Sequence, residues 1–549
     1  MPGVDVPVVI VGAGPVGLCA GLFLARQGIR PLVLERHPGT SIHPRARGLG
    51  ARTMELFREL SLEEQVRHAG RDLDQSRGWV AGMSLASMNL AEDPRKFDFS
   101  GRLRDQEATR YTPSPGMLCP QHYLEPVLLS AATAAGVDVR FRSEVMGVDA
   151  TDNDAVVKFR DAQGRTHSLR TSYIIGADGP RSTIRTHCGI AMTGHRFHRR
   201  FVSVYFRADL SPLVEGNEFI GCQLRSPAAE GALYGVDNRH LWLFMKPVRP
   251  GESRADYPDG RCYDLVRTAI GLPILDVEIL SVLEWNLTSG IAAEFRRGRI
   301  FLAGDAAHIM PISGGFGANT GIQDAHNLAW KLAAVLRGFG GPGLLSTYHA
   351  ERHQVASFTL RQALLRTSYS PLRWATSESA EQRRADVGMV NSLIVDVGYR
   401  YGGESAGPQP DSGLACQRLL SGLPGTRAPH CWVTHEGRRK STLDLFGRCF
   451  VLLAGPSASH WCSAARAAAH ALGVPLSAYC VGPGMEVHDP GGEWQAAAGV
   501  GRDGVIVVRP DGFILWRAPT PPAAGQDGAG ERIRDVLAHA LGRPASPVL

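Results

Sequence analysis

The stretch VVIVGAGPVG, residues 8–17, constrains the fold of this chain more than any other feature. Its β-branched start has no polar alternation, which is typical of a strand covered on both faces in a parallel sheet. Gly12, Gly14 and Gly17 then follow with GxGxxG spacing, and Pro15 to Gln27 predicts a helix. Such a turn offers free N–H groups and the positive end of a helix dipole to an anion. We therefore expect an α/β fold with a phosphate site in this first turn.

A second strand and an acidic residue follow at the spacing that a dinucleotide site requires. Pro31 to Leu34 predicts the strand, and Glu35 stands 18 positions after Gly17. An acid at about this distance holds the ribose hydroxyls of a dinucleotide. A glycine-rich turn alone is common, but strand, helix, strand and acid in register predict a dinucleotide site.

Length and composition limit the other possibilities. The 549 residues, 44% hydrophobic and 20% charged, can form two or three domains. The net charge of +6 is small, and the chain has no basic stripe interleaved with aromatic residues, which argues against nucleic-acid binding. The ten cysteines form no CxxC pair, so we expect no bound metal. Because the first strand begins near residue 1 and no apolar run reaches ~18 residues, we expect a cytoplasmic protein without a signal peptide or membrane span.

Two later segments also predict ligand contacts. SYIIGADGPRSTIR, residues 172–185, predicts a strand that ends at Asp178-Gly179. In residues 298–336, a strand from Ile300 to Ala303 leads to Asp305, a loop follows from Pro311 to Thr320, and an amphipathic helix comes next. Ligands bind at the carboxyl ends of strands in open α/β sheets, so Asp305 is a candidate. Glycines in the loop leave the backbone bare beside it.

The pattern also divides the chain into regions. Residues 186 to about 283 are rich in aromatic and β-branched residues, which predicts the antiparallel strands of an inserted sheet. We predict a dinucleotide domain at 1–75, 104–185 and 284–400, the sheet domain at 76–103 and 186–283, a linker at 401–413 and an α/β domain at 414–549. In the last domain, VIVVRPDGFILWR predicts a hairpin with Asp511-Gly512 in the turn.

Three motifs together carry a family resemblance that covers nearly the whole chain. GAGPVG at 12–17, the Asp178-Gly179 pair and GDAAH at 304–308 resemble the single-component, group A flavoprotein aromatic hydroxylases, which have the para-hydroxybenzoate hydroxylase fold. The segments at 43–66, 119–128, 314–333 and 425–433 are most similar to the aromatic polyketide hydroxylases of antibiotic pathways. The resemblance implies a Rossmann-like FAD-binding domain, an inserted antiparallel β-sheet substrate domain and a C-terminal thioredoxin-like domain.

One departure from a redox-active thioredoxin-like domain is visible in the sequence. Cys462 follows Trp461, but Ala465 stands where a CxxC dithiol has its second cysteine. We therefore predict that this domain is redox-inactive and that no disulfide couple forms there.

The resemblance also implies an activity. It predicts an FAD-dependent monooxygenase that binds FAD non-covalently and hydroxylates a polycyclic aromatic polyketide through a flavin C4a-hydroperoxide. The expected partners are the substrate, O₂ and a transient reductant, NADPH rather than NADH, in a monomer or homodimer. A second GxGxxG after a strand is absent from the sequence, which agrees with transient reductant binding. The sequence does not identify a residue that acts as the base to deprotonate a phenol.

The resemblance assigns residues to both ligands. The implied FAD contacts are Gly12, Ala13, Gly14, Pro15, Gly17, Glu35, Arg36, Arg45, Gln121, Val145, Asp178, Asp305, Pro311, Gly317, Ala318 and Asn319. Among them, Glu35 is expected at the ribose, Asp305 at the ribityl chain, and the Ala318 and Asn319 N–H groups at the flavin. The candidate substrate contacts are Tyr234, Trp242, Phe244, Gly314 and Gly315, with Tyr205, Phe206 and Leu233 as further candidate walls. Because neighbouring strand residues face opposite sides, about half of the aromatic and aliphatic candidates should belong to a core instead.

Three other functions stay open at this point. The same flavin fold could perform Baeyer–Villiger insertion, ring cleavage or several consecutive oxidations, which differ only in pocket geometry. A flavin dehydrogenase would oxidise its substrate without O₂. A flavin-bearing binding protein would show no substrate-stimulated NADPH consumption.

Overall fold

The computed structural model describes residues 4–74, 76, 78–91, 108–194, 196–373, 377–402, 422–520 and 526–543. Most of the predicted linker at 401–413 and residues 92–103 of the predicted sheet domain lie outside this part of the chain. The helices are α1 Pro15–Arg26, α2 Ala51–Glu59, α3 Glu63–Asp74, α4 Gln121–Ala134, α5 Thr183–His187, α6 Ser211–Val214, α7 Asp259–Ile270, α8 Phe316–Leu336, α9 Ser346–Ser368, α10 Glu378–Asp386, α11 Ser392–Val397, α12 Ser459–Leu472, α13 Glu493–Ala498 and α14 Gln526–Ala540.

The strands form three large sheets and two small ones among the described residues. They are β1 Val6–Val11, β2 Leu32–Leu34, β3 Gly48–Leu49, β4 Trp79–Gly82, β5 Met117–Leu118, β6 Asp138–Arg140, β7 Glu144–Ala150, β8 Ala155–Arg160, β9 Thr166–Gly176, β10 Met192–Thr193, β11 Arg196–Arg207, β12 Gly221–Leu224, β13 Gly231–Gly235, β14 Leu241–Pro247, β15 Glu278–Thr288, β16 Gly290–Ala292, β17 Arg296–Arg297, β18 Ile300–Leu302, β19 His308–Ile309, β20 Trp432–His435, β21 Arg438–Ser441, β22 Phe450–Ala454, β23 Leu476–Gly482, β24 Val487–His488, β25 Val505–Val508 and β26 Ile514–Ala518.

The first sheet places the glycine-rich turn at its centre. Its order is β17-β18-β9-β1-β2-β6, and β1 is parallel to both β2 and β9. Val8, Val9 and Ile10 are fully inaccessible to solvent, which confirms the prediction of a strand covered on both faces. Because β1, β9 and β18 are parallel neighbours, the residues that follow them, among them Gly12, Asp178 and Asp305, lie at the same edge of the sheet.

The second sheet has the order β15-β11-β14-β13-β12-β4. Most of its pairs are antiparallel as predicted, but the edge strand β4 is parallel to β12. The difference arises because β4 lies about 140 residues before β12 in the chain, and only a long connection allows parallel pairing. Strand β15 also continues to Thr288, beyond the predicted boundary at 283.

The C-terminal sheet has the order β21-β20-β24-β23-β22-β25-β26. The predicted hairpin is confirmed: β25 and β26 are antiparallel, and Gly512 in the turn has φ +81°. One contact in this region was not predicted, although both thiols are free and the redox inactivity of the domain stays a prediction. Cys462 does have a second thiol beside it, since its Sγ lies 3.6 Å from the Sγ of Cys480. This second thiol comes from β23 rather than from position 465. The CxxC pattern could not predict it, because that pattern considers only residues within one helix turn.

A buried ionic cluster joins the C-terminal domain to helices α8 and α9. The Glu351 carboxylate accepts hydrogen bonds from Lys331 Nζ at 2.7 Å and from Arg509 Nη1 at 2.6 Å. Asp511, in the hairpin turn, pairs with Arg509 and accepts a hydrogen bond from Trp330 Nε1 at 3.1 Å. Burial lowers the pKa of Lys331 to about 8, although Glu351 acts in the opposite direction. The hairpin turn therefore ties the domain to helix α8.

Among the helices that the structure describes, none is long and apolar enough to cross a membrane. The same residues contain no group of three His, Cys, Asp or Glu side chains able to hold a metal ion.

Candidate active site

The glycine-rich turn combines two packing requirements with one open space. A Cβ on Gly12 would lie 2.5 Å from the Ala177 carbonyl oxygen, and Gly12 has φ +103°. A Cβ on Gly17 would lie 1.9 Å from the Gly12 carbonyl oxygen. At Gly14, by contrast, no atom lies within 4 Å of the Cβ position. The space in front of the N-terminus of α1 is thus open, and it fits a pyrophosphate against the backbone.

The Glu35 carboxylate lies at this turn. Its Oε2 accepts a hydrogen bond from the Ala13 N–H at 2.8 Å, and its Oε1 accepts one from the His37 N–H at 2.8 Å. Arg36 and Arg45 are exposed. The acid therefore stands between β2 and the turn, where the ribose of a dinucleotide would lie. Its role in holding that ribose stays a prediction.

Asp305 lies at the same edge of the first sheet as Gly12 and Asp178, and the open space at this edge is called the cleft below. It lies in a short helical turn after β18, and its side chain is exposed to solvent. Desolvation by the surrounding protein atoms raises the pKa of its carboxyl, while the nearby His308 and Arg45 side chains oppose this change. A Cβ on Gly317 would lie 3.8 Å from Asp305 Oδ1, so the start of α8 faces the carboxylate closely. The exposed carboxylate, with the start of α8 directly beside it, fits a hydroxyl-bearing chain that runs past both.

The glycine-rich segment before α8 differs from the sequence prediction. Helix α8 begins at Phe316, inside the predicted loop 311–320, because Gly315 adopts the left-handed conformation and acts as the N-cap. The first turn of a helix leaves N–H groups without intrahelical partners, and these include Gly317 and Ala318. The N–H of Asn319 is the first that the helix itself can bond. The helix geometry therefore favours Gly317 and Ala318 over Asn319 as N–H donors.

The Asn319 side chain connects separate segments instead. Its Oδ1 accepts a hydrogen bond from the Gly50 N–H at 2.9 Å, and its Nδ2 donates to the Gly48 carbonyl at 3.0 Å and to the Gly315 carbonyl at 2.7 Å. Pro311, in the same segment, is buried. These bonds position the start of α8 against β3.

The remaining predicted FAD contacts occupy supporting positions. Asp178 accepts hydrogen bonds from Ser182 Oγ at 2.6 Å and from the Ile184 N–H at 3.1 Å, so it stabilises the start of α5 beside the glycine-rich turn. Gln121 Nε2 donates to Glu125 at 2.6 Å. Val145 is buried in the core of the first domain. Their contact with FAD stays a prediction.

The substrate candidates separate onto the two faces of the second sheet. Trp242, Phe244, Phe206 and Leu233 are fully buried in the core that this sheet forms with α7. Tyr205 and Tyr234 point to the opposite face. We therefore withdraw Trp242 and Phe244 as substrate contacts, because strand alternation directs them away from the cavity. Gly314 has φ +106° and, with Gly315, lies beside Phe316 at the start of α8.

A cavity of about 400 Å³ lies on the Tyr205 face. Its walls come from β11, β15, the start of α4 and the loop after β2; they are Thr40, Ser41, Ile42, His122, Tyr205 and Leu280. Ligand pockets for small molecules start at about 300 Å³, so a planar molecule of several fused rings fits this volume. The sequence prediction included Tyr205 but missed His122. The position of His122 directly after Pro120-Gln121, at the start of a helix, could have indicated it.

Four histidine and tyrosine side chains on the cavity side of the sheet are neutral, although the charge of Asp237 acts on three of them. Burial lowers the pKa of both His43 and His122 to about 4. It raises the pKa of Tyr123 to about 12 and also raises that of Tyr205. The His122 ring packs against the Tyr123 ring in a tilted arrangement, with 4.0 Å between ring centroids and 37° between the planes, and His43 Nδ1 lies 2.9 Å from Ser281 Oγ. At neutral pH these four side chains are therefore aromatic, uncharged and able to form hydrogen bonds.

A buried triad fixes the loop that carries Asp305. Asp324, on α8, accepts hydrogen bonds from the Gly304 N–H at 3.1 Å and from Arg352 Nε at 2.7 Å, and its Oδ2 lies 2.6 Å from His308 Nε2. All three side chains are inaccessible to solvent. Desolvation opposes ionisation of Asp324, but its contacts with His308 and Arg352 outweigh this effect and lower the pKa of Asp324. The sequence prediction missed Asp324. An acidic residue within the apolar face of α8 could have indicated a buried ion pair.

Comparisons with known proteins identify the family of this chain. Residues 5–363 match the model of an FAD binding domain, and residues 421–544 match that of an aromatic-ring hydroxylase C-terminal domain. The chain is 39% identical to the tetracenomycin B2 monooxygenase-dioxygenase of Streptomyces olivaceus, over 97% of this chain and 99% of the relative. It is 37% identical to the tetracenomycin A2 monooxygenase-dioxygenase of Streptomyces glaucescens, over 99% of each.

A solved structure is similar over the same length. Aklavinone-11 hydroxylase, in a ternary complex with FAD and aklavinone, matches with a TM-score of 0.84 and 33% identity, over 99% of this chain and 100% of that chain. Both family models, these relatives and this structure thus indicate the same family. This chain belongs to the FAD-dependent aromatic-ring hydroxylases, among the polyketide hydroxylases.

Proposed function

We propose that this monooxygenase holds a planar, polycyclic aromatic polyketide in the cavity on the Tyr205 face and hydroxylates it there. The observation that carries the proposal is the loop after β2. Its residues 40–42 line the cavity, while the charge of Arg45, a few residues on, acts on Asp305. One loop therefore borders both the cavity and the candidate FAD cleft.

The residues of the cleft fit FAD. The turn at Gly14 would take the pyrophosphate, Glu35 the ribose, Asp305 the ribityl hydroxyls, and the N–H groups of Gly317 and Ala318 the flavin edge. When bound and reduced, FAD supplies the chemistry that activates O₂. We propose NADPH as the reductant, in line with the family.

The cavity wall would position the substrate and exclude water. Both ring nitrogens of His122 are buried and have no hydrogen-bond partner among the described residues. Such an unpaired group costs about 1–3 kcal/mol, and a phenol or quinone oxygen on the substrate would supply the missing partner after a small rotation of the ring. Ile42 and Leu280 supply apolar surface around it.

Turnover under ¹⁸O₂ with a panel of anthracycline, angucycline and naphthacene intermediates tests the proposal. We expect substrate-stimulated NADPH oxidation and a product with one ¹⁸O atom. The variant Asp305→Ala should retain less FAD after gel filtration, whereas His122→Phe should retain it fully. Failure of every polycycle to stimulate NADPH oxidation by FAD-loaded enzyme would contradict the proposed substrate class, and equal rates with NADH would remove the preference for NADPH.

A second candidate is consecutive oxygenation of one substrate. Two relatives carry the name monooxygenase-dioxygenase, which favours it. The number of ¹⁸O atoms in the product distinguishes the two, because a single hydroxylation incorporates one atom per molecule.

A further inference from the structure

Two cysteines of the C-terminal domain meet across two elements. Cys462 lies in the first turn of α12 and Cys480 on β23, and their sulfurs are 3.6 Å apart. A disulfide requires about 2.05 Å, so the sulfurs need to approach by about 1.5 Å. We propose that Cys462 and Cys480 form a reversible disulfide when the enzyme meets hydrogen peroxide.

The two thiols differ in access. Cys480 is half-buried, whereas Cys462 is only 4% exposed and belongs to the core between α12 and the sheet. Peroxide therefore reaches Cys480 first. Cys480-SH and H₂O₂ give the sulfenic acid Cys480-SOH and one water. Cys462 then attacks the Cys480 sulfur, which forms the S–S bond and releases a second water. The two thiols lose two electrons and the peroxide gains them.

The surroundings make Cys462 the second, resolving partner. Burial raises the pKa of Cys462 to about 12, so it is a poor target for peroxide at neutral pH. Arg466, on the same helix, opposes this effect because its charge favours the thiolate. The short distance between the sulfurs also offsets the small thiolate fraction, since attack within one molecule is far faster than attack between molecules.

The proposed disulfide would lie at the junction between the C-terminal domain and α8. The core that contains Cys462 also contains Trp330 and Ala334 of α8, the helix whose first turn faces Asp305. A bond between α12 and β23 would close an 18-residue loop at this junction and restrict the unfolded chain. We expect the oxidised enzyme to melt at a higher temperature than the reduced enzyme.

Peroxide treatment of the FAD-loaded enzyme tests this proposal. After alkylation of the remaining thiols, peptide mass spectrometry should find the 462 and 480 peptides joined and two hydrogen atoms lighter, and dithiothreitol should separate them. Cys449→Ser is the matched control, because Cys449 is also half-buried in this domain but lies 3.5 Å from the Ser477 hydroxyl. This variant should form the bond as the parent does.

Two further variants assign the order of events. In Cys462→Ser, dimedone should trap a sulfenic acid at Cys480, because the resolving thiol is gone. In Cys480→Ser, Cys462 should remain a free thiol. The proposal is overturned if peroxide leaves both thiols free in the parent enzyme, or if Cys480 proceeds to the sulfinic acid while Cys462 stays reduced.

Discussion

The two faces of the second sheet are built from the same strands but serve different purposes. On β11, Val202, Val204 and Phe206 face α7 and are inaccessible to solvent. Tyr205, between them, faces the loop after β2 and the start of α4, where the 400 Å³ cavity lies. We name these the helix-covered face and the cavity face.

The difference lies in what covers each face. Helix α7 packs apolar side chains, Cys262, Val266 and Ile270 among them, closely against the helix-covered face. A loop and the end of a helix from the first domain cover the cavity face and bring His43 and His122 with them. Close packing of apolar groups stabilises the fold, whereas a looser and more polar cover leaves space for a ligand.

The largest expected effect is on the helix-covered face. Trp242→Ala removes a fully buried indole and its hydrogen bond to the Ala208 carbonyl. We expect the free energy of unfolding to fall by about 3–5 kcal/mol in urea titrations. Tyr205→Phe, the control on the cavity face, should change it little. Normal stability with impaired turnover in Trp242→Ala would return Trp242 to the cavity wall.

On the cavity face, His122→Phe should affect turnover instead of stability. We expect kcat/KM for the hydroxylated polycycle to fall about tenfold, equivalent to about 1.4 kcal/mol, since a hydrogen-bonding partner of the substrate is lost. His430→Phe is the matched control. His430 has a pKa that burial also lowers to about 4, but it pairs with Ser441 in the C-terminal domain. Equal losses of kcat/KM in both variants would contradict a substrate contact at His122.

The stability of the parent enzyme and that of His122→Phe should depend differently on pH. The pKa of His122 is about 4 in the folded state and 6.5 by its ordinary value, so the unfolded chain binds more protons between these limits. As pH falls from 6.5 towards 4, the parent should lose stability relative to His122→Phe, and above 6.5 the difference should be constant. Urea titrations of both proteins across this range measure it. A constant difference at all pH values would mean that His122 is not buried in this way.

The smallest effect is expected at the cavity rim. Ile42 is 73% exposed although it lines the cavity. Ile42→Thr should change the free energy of unfolding by less than about 0.5 kcal/mol. It should raise KM about twofold, because apolar cover over the substrate is lost. Steady-state kinetics with the polycycle measure this, and an unchanged KM would place the entrance to the cavity elsewhere.

The sequence by itself determined the features that depend only on residues close together in the chain. The strand, the turn at Gly12 to Gly17, the acid at Glu35 and the hairpin at Asp511-Gly512 follow from backbone conformation and hydrophobic pattern over short distances. The family resemblance extended these motifs to an FAD-dependent monooxygenase, and the comparisons confirm it.

Only the tertiary structure decided which side chains meet. The start of α8 at Phe316, the pairing of Asp324 with His308, and the contact of Cys462 with Cys480 were not predicted. Nor could alternation along β11 and β14 say which face would be the open one. These outcomes depend on how separate segments pack against each other. The sequence pattern shows on which side of a strand or helix a residue lies, but it does not specify which distant residue meets it there.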